Sequence, residues 1–479
     1  MFYEKSSSFS GAKKAKINVY DFSGGLNGER EGSVLPITKA SVLFNVKCDS
    51  GAIKDGVGIK RATVNNSEID VSYSALSTLA KKLYYYRRYD EEVGLYIDYL
   101  IVYAQNGSMY VRNLSQKGSF EILPDLAFES EPVAVSYTYN GKDVIIFSSK
   151  SVMKIFDGNT VTQINDAPCI TSMCIHSERL FATEGGQKTA LWFSDDFDPL
   201  NWNVSLEDAG FIDFRDGAGS LLKVLSFGGY LYLFRNYGIS RITAFGDQTQ
   251  FSVDGIMATS GKINGGSITV CGDTIIYLAK DGFYSFTGGV PTRILTQLDS
   301  YIKNCDNTNA KGCYFNGVYY CLLNMKIDQK QCSVMLVYDV NKGYFTLAKG
   351  CSINDFTVLQ GEDYFKLLFL CNRADFVGEL SEKSEFFAHP LLKVWKSGTN
   401  DLGYQGEKTV TKISLFTKTP IKVRVKSEKG ERILHFCGAK GMQTIALSLK
   451  GDLFEISIEC DRPEMKVSRM QVEYEYYSR

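Results

Sequence analysis

The stretch "DTIIYLAKDGFYSFTGG", residues 273–289, decides the fold. An apolar run of strand length, 274–279, meets the turn formers Asp281 and Gly282, and a second short strand-like segment follows. That is strand, turn, strand. The same grammar recurs in "YLIVYAQNGSMYVRN" (99–113), "KDVIIFSSKSVMKIFDG" (142–158), "GYLYLFRNYGISRIT" (229–243) and "YFKLLFLCNRADFVGEL" (364–380). Steps from Gly107 to Ser151 and from Gly238 to Gly282 are both 44 residues, the length of a four-stranded propeller blade. The longer gaps hold two hairpins of the same style, "ERLFATEGGQKTALWFS" (178–194) and "GVYYCLLNMKIDQKQCSVMLVYDV" (317–340). The spacing therefore predicts an all-β chain with a β-propeller of about six to seven blades.

Closure of such a ring has a physical reason. A blade is a small twisted sheet with two apolar faces, and stacking blades in a circle covers both while leaving only short edges. The long amphipathic helices of a doubly wound α/β fold are missing; "TQLDSYIKN" (296–304) is the best helical candidate and is short.

Composition agrees. The 479 residues include 29 Tyr, 30 Phe and 43 Gly but only 9 Pro, which favours strands joined by tight turns. With 53 basic against 54 acidic side chains there is no whole-chain pull toward nucleic acid or membrane. The twelve cysteines form no C-x-x-C pair, and three histidines cannot complete a zinc site of the usual spacing. They are expected to be reduced, mostly buried thiols, in a protein made and folded in a cytosol, since the N-terminus lacks an apolar signal core. No apolar run is long enough to cross a membrane as a helix.

Beyond residue 384 the character changes. Residues 391–450 carry twelve Lys or Arg against four Asp or Glu, and the alternation in "IKVRVK" places Lys422, Arg424 and Lys426 on one face and Ile421, Val423 and Val425 on the other. Residues 385–479 are expected to form a small β-sandwich. Its basic face is either solvated or a surface for DNA or an acidic partner.

Signatures of catalysis fail one by one. There is no H-E-x-x-H, no G-x-S-x-G and no EF-hand loop, and His176, His389 and His435 lie in or beside apolar segments. The chain is expected to be no enzyme, with no catalytic residue, cofactor or bound metal. The one stretch rich in site chemistry is "LWFSDDFDPLNW" (191–202). Asp196, Asp198, Pro199 and Trp202 suit a structural turn, with Asp side chains capping backbone and Pro199 fixing φ. A calcium site from Asp195, Asp196 and Asp198 is the second reading. The third is a sugar site: Ser194, Asp196 and Trp202 echo the Asp-box order of propeller sialidases, although Asp198 stands where that box has Gly and the box occurs once.

The opening "YDFSGGLNGEREGSVLPITKASVLFNVKCDSGAIKDGVGIKRA" (20–62) resembles the start of phage tail propeller proteins, in which F-S-G-G-L-N precedes an "N-v-x-x-d-x-G-a-i" phrase. "RLFATEGGQKTALWFSDDFDPLNW", "GYLYLFRNYGISRITAFGD" and "KDGFYSFTGG" are similar to their middle blades, and "MLVYDVNKGYF" to a late one, with Tyr344 and Phe345 where a Trp is usual. The family is that of tail hub or nozzle proteins, including packaged-DNA stabilisation proteins. The resemblance implies a structural virion protein that extends the DNA conduit below portal and adaptor, helps retain the genome and anchors fibres or spikes. It also implies a homo-oligomeric ring, commonly a hexamer, in the virion tail. Under it, residues 1–69 are an N-terminal arm and lead-in, 70–384 the propeller and 385–479 the sandwich. Phe22, Ser23, Gly24, Gly25, Leu26 and Asn27 would dock on a neighbouring subunit or adaptor, or simply turn into the first blade, and Lys13, Lys14 and Lys16 could form a solvated tail. The alternative is a carbohydrate-binding or sialidase-like propeller, free or at a tail tip.

Overall fold

The computed structural model describes residues 11–27, 36–150, 152–206, 208–258, 261–327, 329–362, 364–372 and 374–477. Ser151, one of the spacing markers, lies outside them. The described chain is all-β, apart from 3-10 turns and two four-residue helices, Tyr73–Leu76 and Asp299–Ile302. The second of these falls within the expected short helix.

Six successive antiparallel sheets have four strands in chain order. The first runs Ala80–Asp90, Leu95–Ala104, Met109–Asn113 and Glu121–Leu123; the others begin at Val133, Ile170, Leu221, Thr269 and Lys311. A seventh comprises Ile353–Gln360, Phe365–Cys371, Gly378–Ser381 and then Gly58–Arg61, a strand supplied from before the first sheet, with two short strands beyond it. Every repeat read from sequence is the central hairpin of one of these sheets. The hairpins were legible because their leading strand is apolar on both faces.

Those two faces feed different interfaces. In the first sheet Leu100 and Val102 pack on Leu368 and Leu370 of the seventh, whereas Ile101 and Tyr103 pack on Ile145 and Phe147 of the second. In the fifth, Ile275 and Tyr277 join Tyr232 and Phe234 of the fourth, while Ile276 and Leu278 join Tyr319 and Cys321 of the sixth. The other junctions repeat the pattern, through Ile146 with Leu180, Phe181 with Leu233, and Tyr320 with Phe369. Each sheet is thus covered by two neighbours, and contact of the seventh with the first closes the ring as a β-propeller.

Strand pairing divides the remainder differently from the expected boundaries. Ala40–Phe44 pairs with Lys393–Ser397 at one edge of a five-stranded sheet. Val46–Asp49 and Ala52–Asp55 extend a second sheet built on Lys466–Tyr476 and Lys408–Thr417. The arm therefore belongs to the C-terminal sheets before it enters the ring at Gly58. Lys13–Val19 is likewise no tail: it pairs antiparallel with the final strand, and Lys14 bridges to Glu475 at 3.4 Å. Alternation in both segments satisfies one ladder and one core face, so ordering them is favourable. The two sheets share a core containing Trp395, Val423, Ile458, Ile413, Val472 and Tyr474. They meet the ring at the sixth sheet, where Asn45 donates to Lys349 O and accepts from its N–H.

All twelve cysteines are free thiols, and burial pushes Cys174, Cys271, Cys313, Cys321 and Cys351 up to about 12. None of these is primed as a nucleophile.

Candidate functional surfaces

The stretch at 191–202 is a turn anchored by its tryptophan. Leu200 N–H donates to Asp198 Oδ1 at 3.0 Å, Asn201 N–H closes on Asp198 O, and Phe197 takes the left-handed conformation at φ 55°. Trp202 is 2% exposed, packs on Met153 and Ile155 of the second sheet and donates Nε1–H to Pro199 O at 3.1 Å. A ring so enclosed cannot itself stack on a sugar. The expected trio of carboxylates is also corrected. Asp195 and Asp196 converge with Asp208, their oxygens within 4.8 Å of one another, while Asp198 serves the turn. Arg179 Nη2 already stands 3.8 Å from Asp196, and Asp195 is engaged by Asn201. A resident guanidinium works against cation capture there.

The phrase "FSGGLN" is internal. Phe22 is fully buried, edge-on to Trp395 at 5.3 Å and 88°, and Leu26 is buried in the same core. Gly24 is required by crowding, since a Cβ would lie 2.6 Å from Thr38 O, and Gly25 sits at φ 63° while its carbonyl accepts from Ala40 N–H. Asn27 N–H donates to Ala40 O at 2.9 Å. Phe22 and Leu26 are therefore spent on this chain's own C-terminal core. Only Ser23 and Gly24 face outward, with Ser23 folded onto Asp21.

The basic stripe is real but compensated. On Ile421–Ser427 the residues Ile421, Val423 and Val425 are buried, with Lys422, Arg424 and Lys426 on the other face. The flanking strands answer with carboxylates: Lys422 meets Glu459 at 3.3 Å, Arg424 meets Glu431 at 3.3 Å, and Lys426 is in register with Glu431 and Glu455. The resulting face alternates in sign and offers phosphates little net attraction.

Sequence reasoning missed a polar collar on the ring axis. In four sheets the innermost strand is bulged near its start, at Ala80/Lys82, Ile170/Ser172, Leu221/Lys223 and Ile353/Asp355. Each residue after the bulge reaches the next sheet. Lys82 Nζ donates to Pro132 O at 3.3 Å, Ser172 Oγ accepts from Val224 N–H at 3.3 Å, Lys223 Nζ donates to Ile268 O at 2.7 Å, and Asp355 accepts from Leu83 N–H at 3.1 Å. Lys82 also pairs with Glu131 and Lys311 with Asp355, each at 3.0 Å. Enclosure by the ring, with the Lys82 charge adding to it, pushes the Lys223 ammonium down to about 8. Burial raises Asp355 against the opposing pull of Lys311 and Lys82. A bulge re-aims one side chain, and this is the signal in "AKK", "ITS", "LLK" and "IND": a small or polar residue two places into a strand that otherwise reads as apolar.

His176, 5% exposed, holds its Nδ1 2.8 Å from Ser226 Oγ between Phe181 and Phe245. Burial lowers its pKa, and its Nε2 has no partner among the described residues, so nothing orients it as the base of a triad. No described helix is long and apolar enough to cross a membrane.

No protein family matches the chain, and no curated protein does. Among solved structures it is similar to BBS1N from a complex with ARL6DN, at 8% identity and TM-score 0.45 over 67% of this chain and 96% of that one. It is similar to an ancestral GH74 enzyme at 9% identity and TM-score 0.43, over 67% of this chain and 50% of that one. It is also similar to Kluyveromyces lactis Hsv2 at 10% identity and TM-score 0.31, over 52% and 81%. Likenesses this loose bear on neither activity nor partners.

Proposed function

We propose that this chain is a structural subunit of a bacteriophage tail, a hub or nozzle component that extends the DNA conduit below the portal and adaptor. It helps retain packaged DNA and anchors fibres or spikes. In this reading the ring is a seven-bladed propeller, one blade per central hairpin, closed by Gly58–Arg61, and the two C-terminal sheets form a small β-sandwich. Copies made in the host cytoplasm assemble into a homo-oligomeric ring, a hexamer, and the role involves neither enzymatic chemistry nor a cofactor.

The observation that carries this reading is the arm. In the phrase that resembles tail proteins, "FSGGLN", Phe22 and Leu26 pack into the C-terminal core, Lys13–Val19 pairs with a strand of those sheets, and Gly58–Arg61 completes the seventh sheet. Stitching the arm and the C-terminal sheets into one body suits a part that must hold shape against the pressure of a packaged genome. Purified protein should form a ring by light scattering and negative-stain imaging, alone or with the tail proteins of the same genome. Deleting residues 20–27 should abolish incorporation into particles. A strict monomer under all these conditions would overturn the proposal.

A further inference from the structure

Four is an even number of strands, so the chain leaves each sheet at the end of the ring where it came in. The turns after the first and third strands consequently share the opposite end. That end has a distinct chemistry. Between residues 91 and 364 the described residues of those turns include eleven Asp or Glu against two Lys. They also carry exposed apolar side chains sheet after sheet, among them Phe197, Phe245 and Val290, with Phe365 beside the last turn. An acidic rim studded with apolar groups is unusual for a surface that meets only water.

The rim has one protruding element. Strands Ala80–Asp90 and Leu95–Ala104 have eleven and ten residues, against six or seven in the corresponding strands of the fourth sheet. The extra length carries the hairpin tip about 13 Å farther, at roughly 3.3 Å per residue. Val93 and Leu95 at the tip are 64% and 58% exposed. Behind them Tyr89 and Tyr96 pack edge-on at 5.2 Å, with Arg87 over the Tyr96 ring at 4.2 Å. Asp90 accepts from the N–H groups of Glu92 and Val93, which fixes the turn and leaves the Glu91 and Glu92 carboxylates directed outward. This is a rigid apolar knob flanked by two negative charges.

The same chain offers a complementary socket. Residues 391–479 hold sixteen Lys or Arg against eleven Asp or Glu, leaving 37 against 43 over the first 390. In the C-terminal sheets a cavity of about 550 Å³ is lined by Leu392, Pro420 and Phe436 together with Lys422, Glu459 and Arg462. Its own acids are already answered, Glu459 by Lys422 and Asp461 by Arg462. Lys418, two residues before Pro420, and Lys440, two residues after the Gly438 that crowds Lys418 O, are exposed and add two cations to the loops that border it. Such a volume admits two or three aliphatic side chains.

We propose that the hairpin tip 90–95 of one copy docks into this cavity on a second copy, Val93 and Leu95 against Leu392, Pro420 and Phe436, with Glu91 and Glu92 facing Lys418 and Lys440. The proposal rests on the ring reading above and gives it a contact. Donor and acceptor surfaces are different, so the association is head-to-tail and propagates until it closes.

Full-length protein tests it. Glu91→Lys with Glu92→Lys in one variant, and Lys418→Glu with Lys440→Glu in another, lie on exposed turns and leave the fold intact by circular dichroism. Each should weaken self-association at least tenfold in sedimentation at low salt, and an equimolar mixture of the two should regain it, because reversed tips then meet reversed loops. Val93→Ser with Leu95→Ser should weaken association at every salt concentration. Rings unaffected by either reversal, or reversals that fail to complement on mixing, overturn this docking while leaving the ring reading standing. Wild-type protein that never associates overturns both.

Discussion

Two strands of this molecule, Leu95–Ala104 in the ring and Ile421–Ser427 in the C-terminal sheets, obey the same pleat and carry opposite patterns. In the first, alternate residues enter two different hydrophobic interfaces, so six consecutive positions, Tyr99 to Ala104, are buried. In the second, only Ile421, Val423, Val425 and Ser427 are buried, and the residues between them meet charged neighbours on an outer face. The difference shows that a continuous apolar run marks a strand inserted between two sheets, while clean alternation marks a strand that covers one core.

This contrast can be broken most severely inside the ring. Leu100→Lys and Ile101→Lys should each cost several kcal/mol, about 4 or more, because each buries an unpaired ammonium in a different interface. In the other strand Val423→Lys should do the same and Lys422→Val should not; urea melts of the four variants check it. If positions 100 and 101 differ as widely as 423 and 422, the two-faced reading fails. Phe22→Ala comes next, at about 3–5 kcal/mol for the cavity left beside Trp395. It should also release the first strand, so that trypsin cuts at Lys13, Lys14 and Lys16 before the ring is attacked.

A smaller effect is expected at the collar. The folded state holds Lys223 near 8, below its ordinary 10.5, so the unfolded chain binds the extra proton between those values. Stability relative to Lys223→Gln should therefore climb as pH rises from about 8 to 10.5, then level off. A flat difference across that window would show that channel water solvates the ammonium fully. Least of all should come from the stripe. Changing Lys422, Arg424 and Lys426 together to Gln should shift stability by no more than about 1 kcal/mol per exposed pair and leave retention of duplex DNA by the protein unchanged. A clear loss of DNA binding would mean that Glu431, Glu455 and Glu459 do not neutralise the face.

The ring hairpins were readable because burial on both faces writes an uninterrupted apolar run, and Asn106 or Asp281 beside Gly then marks the turn. Trp202 as the anchor of its turn was readable from Asp198 and Pro199 for the same local reason. What escaped depends on partners far away in sequence. Nothing in "GIKR" says that it will pair with "GELS", because four residues of strand fit any open edge. Arg424 reads as a basic outward residue until Glu431 and Glu459 are placed beside it. Lys82, Ser172, Lys223 and Asp355 share a position and a reach to the next sheet but span three residue types, so no single letter aligns them.

The strand that completes the seventh sheet also sets an order on biosynthesis. Gly58–Arg61 leaves the ribosome early, yet its partner Gly378–Ser381 follows more than three hundred residues later, and Lys13–Val19 waits for the last strand of all. At about 5–20 residues per second, that is a delay of at least roughly 15–60 s during which neither strand has its partner. A polypeptide cut short anywhere before residue 378 therefore cannot close its ring or cover the edge of the sheet it began. Sealing of the ring is thus a late event in synthesis, and copies terminated before residue 378 are barred from any assembly that recognises the closed ring.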